Sequence, residues 1–286
     1  MALIVTSAQA ADTAPAAALQ SRYDSLAPSL RNNAFKRALH LESSESSSEL
    51  KGDIYAVVEH PFARLESSLK APGVWCDVLI LHLNTKLCRA DGEAANPVLE
   101  LYVGRKYDQP LEDAYKLRFA YRLAASTPDY FEALLNSPVG PLGTRDYRIV
   151  LEAIPLAAQE GKGERTLVHL TYAYAYGLPA RLAMQAYLST VAREKVGFTV
   201  TGKDGDGKPE YVGGMRGVVE RNTMRYYLAI DAYLGSLLLP AGEQFDQRLK
   251  AWFDGSEQYA LQLHEMDKLS YIEMKHLENE RQRRGP

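Results

Sequence analysis

Apolar positions recur along the chain with two different periods, and the switches between them mark out its elements. Residues 16–30 carry apolar side chains at helical spacing, after which residues 38–48 and 53–60 alternate as strands do, with a turn expected around residues 50–52. Pro61 stands where a helix can begin, and Phe62, Leu65, Leu69, Val74, Val78 and Leu79 follow at helical intervals, broken at Pro72 and Gly73. Five further strand-like runs come next, at 86–89, 98–103, 114–123, 145–154 and 166–176, most of them separated by Asp, Gly, Asn and Pro. From Pro179 the period is helical again, with Leu182, Ala183, Ala186, Tyr187 and Val191 on one stripe, and a polar hairpin follows at 204–208. A long helix over 218–238 then presents Val219, Met224, Tyr227, Ile230, Ala232 and Leu234 as a broad apolar face of the kind a sheet accepts. Beyond Pro240, Phe245, Leu249, Trp252 and Phe253 continue a tail that turns polar toward Arg284.

Composition narrows the function classes. Hydrophobic residues make up 46% of the 286 and charged ones 24%, enough for a substantial core. Lys plus Arg number 33 against 36 Asp plus Glu, so no field of one sign is available to hold a nucleic-acid backbone, and nucleic acid is not expected as a partner. Ala8-Gln9-Ala10 has the small-x-small form of a signal-peptidase site, which predicts an exported, periplasmic or secreted protein. Cys76 and Cys88 flank His82. An even pair in an exported chain favours a disulfide, with two buried thiols or a Cys/His metal site as the alternatives, although three ligands without a close Cys-x-x-Cys pair fall short of a zinc module.

The order of two strands, a helical segment, some five antiparallel strands and a long helix resembles the α+β helix-grip fold of the START and Bet v 1-like superfamily, and bacterial START-like proteins within it. The resemblance rests on Gly52-Asp-Ile-Tyr-Ala-Val-Val-Glu-His-Pro-Phe62, on Trp75-Cys-Asp and the stretch to Cys88, on Arg221-Asn-Thr-Met-Arg-Tyr-Tyr-Leu-Ala-Ile-Asp231, and on Glu265-Met-Asp-Lys. It implies a curved antiparallel sheet wrapped around a long C-terminal helix, with a cavity between them. Residues 1–10 are then the remnant of a signal peptide, 11–34 an N-terminal helical segment, 35–238 the helix-grip domain and 239–286 a C-terminal helical extension. The helical insertion at 179–193 departs from the simplest pattern of the fold.

The cavity of such a fold implies an apolar small molecule or lipid as partner. Leu170, Tyr172, Tyr174 and Tyr176 share one strand face, as do Phe119 and Tyr121, and with Tyr227 and Ile230 of the long helix they are the expected lining. Tyrosines at alternate positions equally well fill a core. The expectation is binding rather than catalysis, with no cofactor and no metal, because the chemical motifs fail. Gly-x-Ser-x-Gly is absent, His264-Glu265 is followed by Lys268 where a zinc protease needs its second histidine, and Asp204-Gly-Asp-Gly has Lys208 and Pro209 where a calcium loop needs a ligand and a glycine. Arg118, Arg122, Arg148, Glu152 and His169 alternate with apolar neighbours and belong to the solvent face, unless the concave face is the charged one and Arg148 and Glu152 hold an anionic group. His60 and His82 are the candidate bases for a cyclase or lyase using the same pocket. Transient membrane contact and a protein partner docking on Trp252, Phe253, Tyr259 and Met266 of the C-terminal helix remain alternatives.

Overall fold

The structure is a computed structural model that describes residues 14–91, 96–158, 161, 163–190 and 195–284. Ala8-Gln9-Ala10 and Val191 lie outside the described residues. Eight strands form one fully antiparallel sheet: β1 Leu39–Glu45, β2 Glu49–Val58, β3 Thr85–Asp91, β4 Val98–Val103, β5 Tyr115–Ser126, β6 Phe131–Val139, β7 Thr144–Pro155 and β8 Thr166–Tyr176. Their spatial order is β1-β2-β8-β7-β6-β5-β4-β3, so the one crossover joins β2 to the far edge through α2 Phe62–Leu69 and α3 Val74–Leu79. Register shifts in the β3/β4, β5/β6 and β7/β8 pairs bend the strands and let the sheet curl. Helix α1 Pro15–Arg31 covers the outer face, and α4 Leu178–Thr190 follows β8. A small hairpin, β9 Val200–Lys203 with β10 Pro209–Tyr211, precedes α5 Gly214–Ser236, the helix gripped by the sheet; α6 Ala241–Glu257, α7 Ala260–Leu263 and α8 Lys268–Arg284 complete the chain.

Two elements depart from the pattern reading. The β1/β2 turn lies at residues 46–48, where the Ser46 hydroxyl accepts the Ser48 and Glu49 amides, and not at 50–52. Gly52 is instead mid-strand, beneath α5: a Cβ built there would stand 2.3 Å from the Thr223 hydroxyl oxygen, so the glycine marks a close crossing of helix over strand. The apolar pattern assigns no element between residues 123 and 145, whereas β6 lies there and alternates, with Phe131, Ala133 and Leu135 buried.

Hydrophobic burial is split between the two faces of the sheet. The larger core lies on the concave side and runs from Leu39 through α5 to Tyr271 and Met274 of α8, so the C-terminal extension belongs to the same core as the sheet. On the convex side, Leu19, Leu26 and Leu30 of α1 pack on Tyr55, Tyr130, Ile154 and Leu167. Beside that second core, the His169 imidazole lies between two carboxylates, 2.6 Å from Glu152 through Nδ1 and 3.0 Å from Asp53 through Nε2. Thr171 donates to Asp53, Tyr130 donates to Glu152, Lys51 pairs with Asp53, and Tyr55 stacks on the imidazole ring beneath the Arg22 guanidinium.

Burial alone would lower the His169 pKa, but hydrogen bonds to Asp53 and Glu152 prevail and raise it above 6.5. Burial likewise opposes the charge of Asp53 and Glu152, yet the bonds from His169 hold both below their ordinary 3.8 and 4.5. The signs fix a stability window. The histidine contribution is complete below 6.5 and fades as pH rises through its raised pKa, whereas the carboxylate contributions are complete above 4.5 and fade as pH falls through their lowered values. Denaturation followed as a function of pH is expected to show greatest stability between those limits, and His169→Gln, which leaves two buried carboxylates facing a neutral amide, to cost about 3 kcal/mol and flatten the alkaline limb. An unchanged pH profile in that variant would remove His169 from the account.

Candidate functional site

The site begins with the segment between α3 and β3. The Cys76–Cys88 disulfide, with Cα atoms 5.1 Å apart, ties α3 to β3 and closes a short loop around His82. With the sulfurs joined to each other, neither the free-thiol nor the Cys/His metal alternative describes this pair.

Such a tight connection leaves carbonyl groups without strand or helix partners, and buried carbonyls need donors. Helix α8 supplies them. Tyr271 donates to the Leu81 carbonyl at 2.9 Å, and Lys275 Nζ donates to the His82 and Thr85 carbonyls at 2.7 and 3.0 Å. Lys86 Nζ takes the Leu83 carbonyl at 3.1 Å, and Glu278 accepts from both ammonium groups, at 2.8 Å from Lys86 and 2.7 Å from Lys275. All three charged side chains are fully enclosed. Desolvation draws the Lys275 pKa down to about 8 despite the Glu278 carboxylate beside it.

The segment pinned in this way delivers His82 to a cavity of about 170 Å³ between the sheet and α5. Leu101, Val103, Leu117, Phe119 and Pro141 form its apolar wall; Tyr147, Tyr172 and Tyr226 add aromatic faces, and Asn222 of α5 projects beside His82. The rings make a continuous surface. Phe119 meets Tyr147 edge-on at 6.5 Å between centroids, Tyr147 lies 6.2 Å from Tyr172, Tyr172 lies 5.2 Å from Tyr226, and Tyr226 stacks on His82 at 4.9 Å. Burial pushes the Tyr147, Tyr172 and Tyr226 hydroxyls upward in pKa, so all three keep their protons and can donate.

His82 Nδ1 accepts the Asn84 amide at 3.2 Å. Burial, followed by the nearby Arg225 and Lys275 cations, lowers the His82 pKa well below 6.5, so the ring is neutral and carries its proton on Nε2. That Nε2 is buried and has no hydrogen-bond partner within 3.5 Å among the described residues, although the Asn222 carboxamide lies close enough to pull the ring's pKa weakly upward against the larger effects. Arg225, which also approaches Asn222, pairs with Glu265 at 2.7 Å, and Lys106 and Lys195 share the same carboxylate. Although burial opposes it, Arg225 and the two lysines hold Glu265 at about 2.

Of the residues picked out from sequence, Phe119 and Tyr172 line this cavity. Tyr174 lies behind its wall, stacked on Tyr147. Leu170 and Ile230 are core, and Tyr121 donates to the Lys70 carbonyl at 2.7 Å instead. Tyr176 donates to the Ser46 carbonyl at 2.6 Å, and Tyr227 lies under the Arg37 guanidinium. Arg148 pairs with Glu49 in solvent, Arg118 lies near Glu100, and Glu152 is bound to His169 on the convex side, so the charged face is not the one facing α5. His60 lines a separate, more polar hollow of about 270 Å³ beside Asp231, Asp254 and Arg37. Asn222, Tyr226 and Tyr147 were not singled out for the site, and only their place on α5 and β7 brings them to it. Among the described residues, no group of three His, Cys, Asp or Glu side chains is placed to hold a metal ion, and no helix is long and apolar enough to cross a membrane.

The fold and cavity define an α+β protein of the helix-grip type. No protein-family model and no curated protein matches the chain. Solved structures of similar layout include truncated norcoclaurine synthase from Thalictrum flavum, at a TM-score of 0.35 and 11% identity over 52% of this chain and 90% of that one. A conserved protein from Geobacillus kaustophilus gives 0.33 and 12% over 65% and 95%, and Ara h 8.0201 gives 0.34 and 12% over 69% and 99%.

The buried charges on α8 make a quantitative expectation. Lys275→Ala takes a donor from the His82 and Thr85 carbonyls and from Glu278, while the Thr85 amide still reaches the His82 carbonyl and Lys86 still pairs with Glu278, and is expected to cost about 1–3 kcal/mol in denaturant unfolding. Lys268→Ala removes an exposed pair with Asp254 and is expected to cost under about 1 kcal/mol. Similar costs for the two would mean that α8 does not hold the His82 segment through these charges.

Proposed function

We propose that this protein binds an apolar molecule the size of a single ring in the cavity between its sheet and α5. The observation that carries this reading is the cavity itself: about 170 Å³, walled by Leu101, Leu117, Phe119, Tyr147 and Tyr172. An apolar cavity of roughly 150 Å³ accepts benzene, whereas clefts for drug-sized ligands start near about 300 Å³. The volume therefore favours a ring-sized ligand over the lipid that the fold alone suggests. Binding is favoured over turnover because the one histidine at the cavity has its Nδ1 lone pair engaged by Asn84, which leaves it a donor and not a base toward a ligand.

The test is thermal unfolding and calorimetric titration of the protein with toluene. Saturating ligand is expected to raise Tm, as any ligand selective for the folded state does. Leu117→Phe, which places extra volume in the cavity, is expected to abolish the Tm shift while the free protein's Tm changes little. Absence of binding in the parent protein, or equal binding in Leu117→Phe, would overturn the proposal.

A further inference from the structure

The ring-ligand reading leaves the polar end of the cavity unexplained. On one side are apolar walls; on the other, His82, Asn222 and the Tyr172 and Tyr226 rings converge. His82 is 4% exposed, and its Nε2 is buried without a partner within 3.5 Å among the described residues. A buried donor left unpaired costs stability, so an arrangement that enforces one invites an acceptor from outside the chain. The enforcement is visible. The Asn84 amide occupies Nδ1, Lys275 and Tyr271 grip the backbone on either side of the ring, and Tyr226 stacks on its face. Rotation cannot bring Nε2 to another group without breaking those contacts.

The charges nearby have one prevailing sign. Arg225, Lys106 and Lys195 converge on the single carboxylate of Glu265, and Lys86 and Lys275 on that of Glu278, so five cations answer two carboxylates around this end of the cavity. Arg225 also leaves its buried Nε unpaired. A positive potential of this kind favours an anion and disfavours an ammonium group in the adjoining space.

Resting on the ring-ligand reading, we infer that the ligand is an aromatic anion, a ring bearing a carboxylate or comparable oxyanion, with the anionic oxygen accepting from His82 Nε2–H and the ring lying among Phe119, Tyr147 and Leu117. Asn222, whose carboxamide lies beside both His82 and the Tyr172 hydroxyl, is the second donor to that oxygen. His82 acts here as a fixed donor that sets specificity, and no bond is made or broken.

The test compares three probes of nearly equal size by calorimetry on the full chain at neutral pH and low salt: benzoate, toluene and benzylamine. Benzoate is expected to bind at least tenfold more tightly than toluene, and benzylamine more weakly than either. His82→Phe keeps a ring to stack on Tyr226 and removes the donor; it is expected to weaken benzoate roughly 10- to 100-fold, as loss of a hydrogen bond to a charged group does, and to leave toluene within about twofold. His82→Gln, which restores an N–H, is expected to recover part of that loss. Lys106→Met, at a partly exposed position, is expected to weaken benzoate a few-fold and leave toluene unchanged, which keeps the inference testable if the His82 variants do not fold. Toluene binding without a benzoate preference, or benzoate affinity indifferent to both His82→Phe and Lys106→Met, would overturn the anion and leave the ring-ligand proposal standing. Failure of all three probes to bind would overturn both.

Discussion

The buried triad of Lys86, Glu278 and Lys275 is the constraint on which the pocket end of the molecule depends. Two ammonium groups, both excluded from water, share the one carboxylate of Glu278, and without it two like charges would face each other in a medium that screens them poorly. The set is satisfied at just one relative position of α8 and the segment that enters β3. The lysines' remaining donors go to backbone carbonyls of residues 82, 83 and 85, so the contacts that replace water around the two ammonium groups also fix the course of the chain at His82. Trp252 extends the restraint, stacking on Tyr271 while its indole N–H donates to the Arg225 carbonyl of α5. The helices beyond Pro240 therefore position a residue of the cavity they never line.

The cavity follows from how α5 meets the sheet. The helix packs on β1, β2 and β8, and at Gly52 it comes so near the strand that only a missing side chain permits the approach. The sheet then curls away through its register shifts toward β3, β4 and β5 at the opposite edge. Leu101 of β4 and Leu117 and Phe119 of β5 face the space that remains there, with Asn222 and Tyr226 of α5 on its other side. Tyr147 and Tyr172 bridge part of the remaining distance because their rings are long, and the space left is the cavity.

Much of the sheet was legible in the sequence because strand alternation is local: β2, β4, β5, β7 and β8 emerge from the apolar pattern close to their true places. What was not legible depends on contacts between distant residues. Gly52 reads as a turn because the glycine signal for a turn and for a close helix crossing is the same. Glu132-Ala-Leu-Leu135 has helical composition, and only pairing with β5 and β7 makes it a strand. Helix α8, rich in Lys, Glu and Arg, reads as solvated, and nothing in its own sequence shows that Lys275 and Glu278 will meet a third charge, Lys86, from a strand. At the site, the face bearing Tyr172 and the face bearing Phe119 could be assigned by period, but Tyr121, Tyr174 and Tyr176 share those faces without reaching the cavity, because position along a strand, which period does not report, decides it.

His82 and His169 show how little residue type decides by itself. Both are largely buried, and burial pulls both toward the neutral form. At His169 two carboxylates take the two ring nitrogens and reverse that pull, so the ring is most stable as a cation serving the contact between the sheet and α1. At His82 one nitrogen meets a backbone amide and the nearby charges are cations, so burial and electrostatics act in the same direction. A charged, fully paired imidazole has no capacity left for a ligand; a neutral one with an idle N–H does. The difference arises from strand register on the convex face and from the grip of α8 on the concave side, which is why the histidine that the local pattern marks as an ordinary strand residue is structural and the one midway between two cysteines is at the cavity.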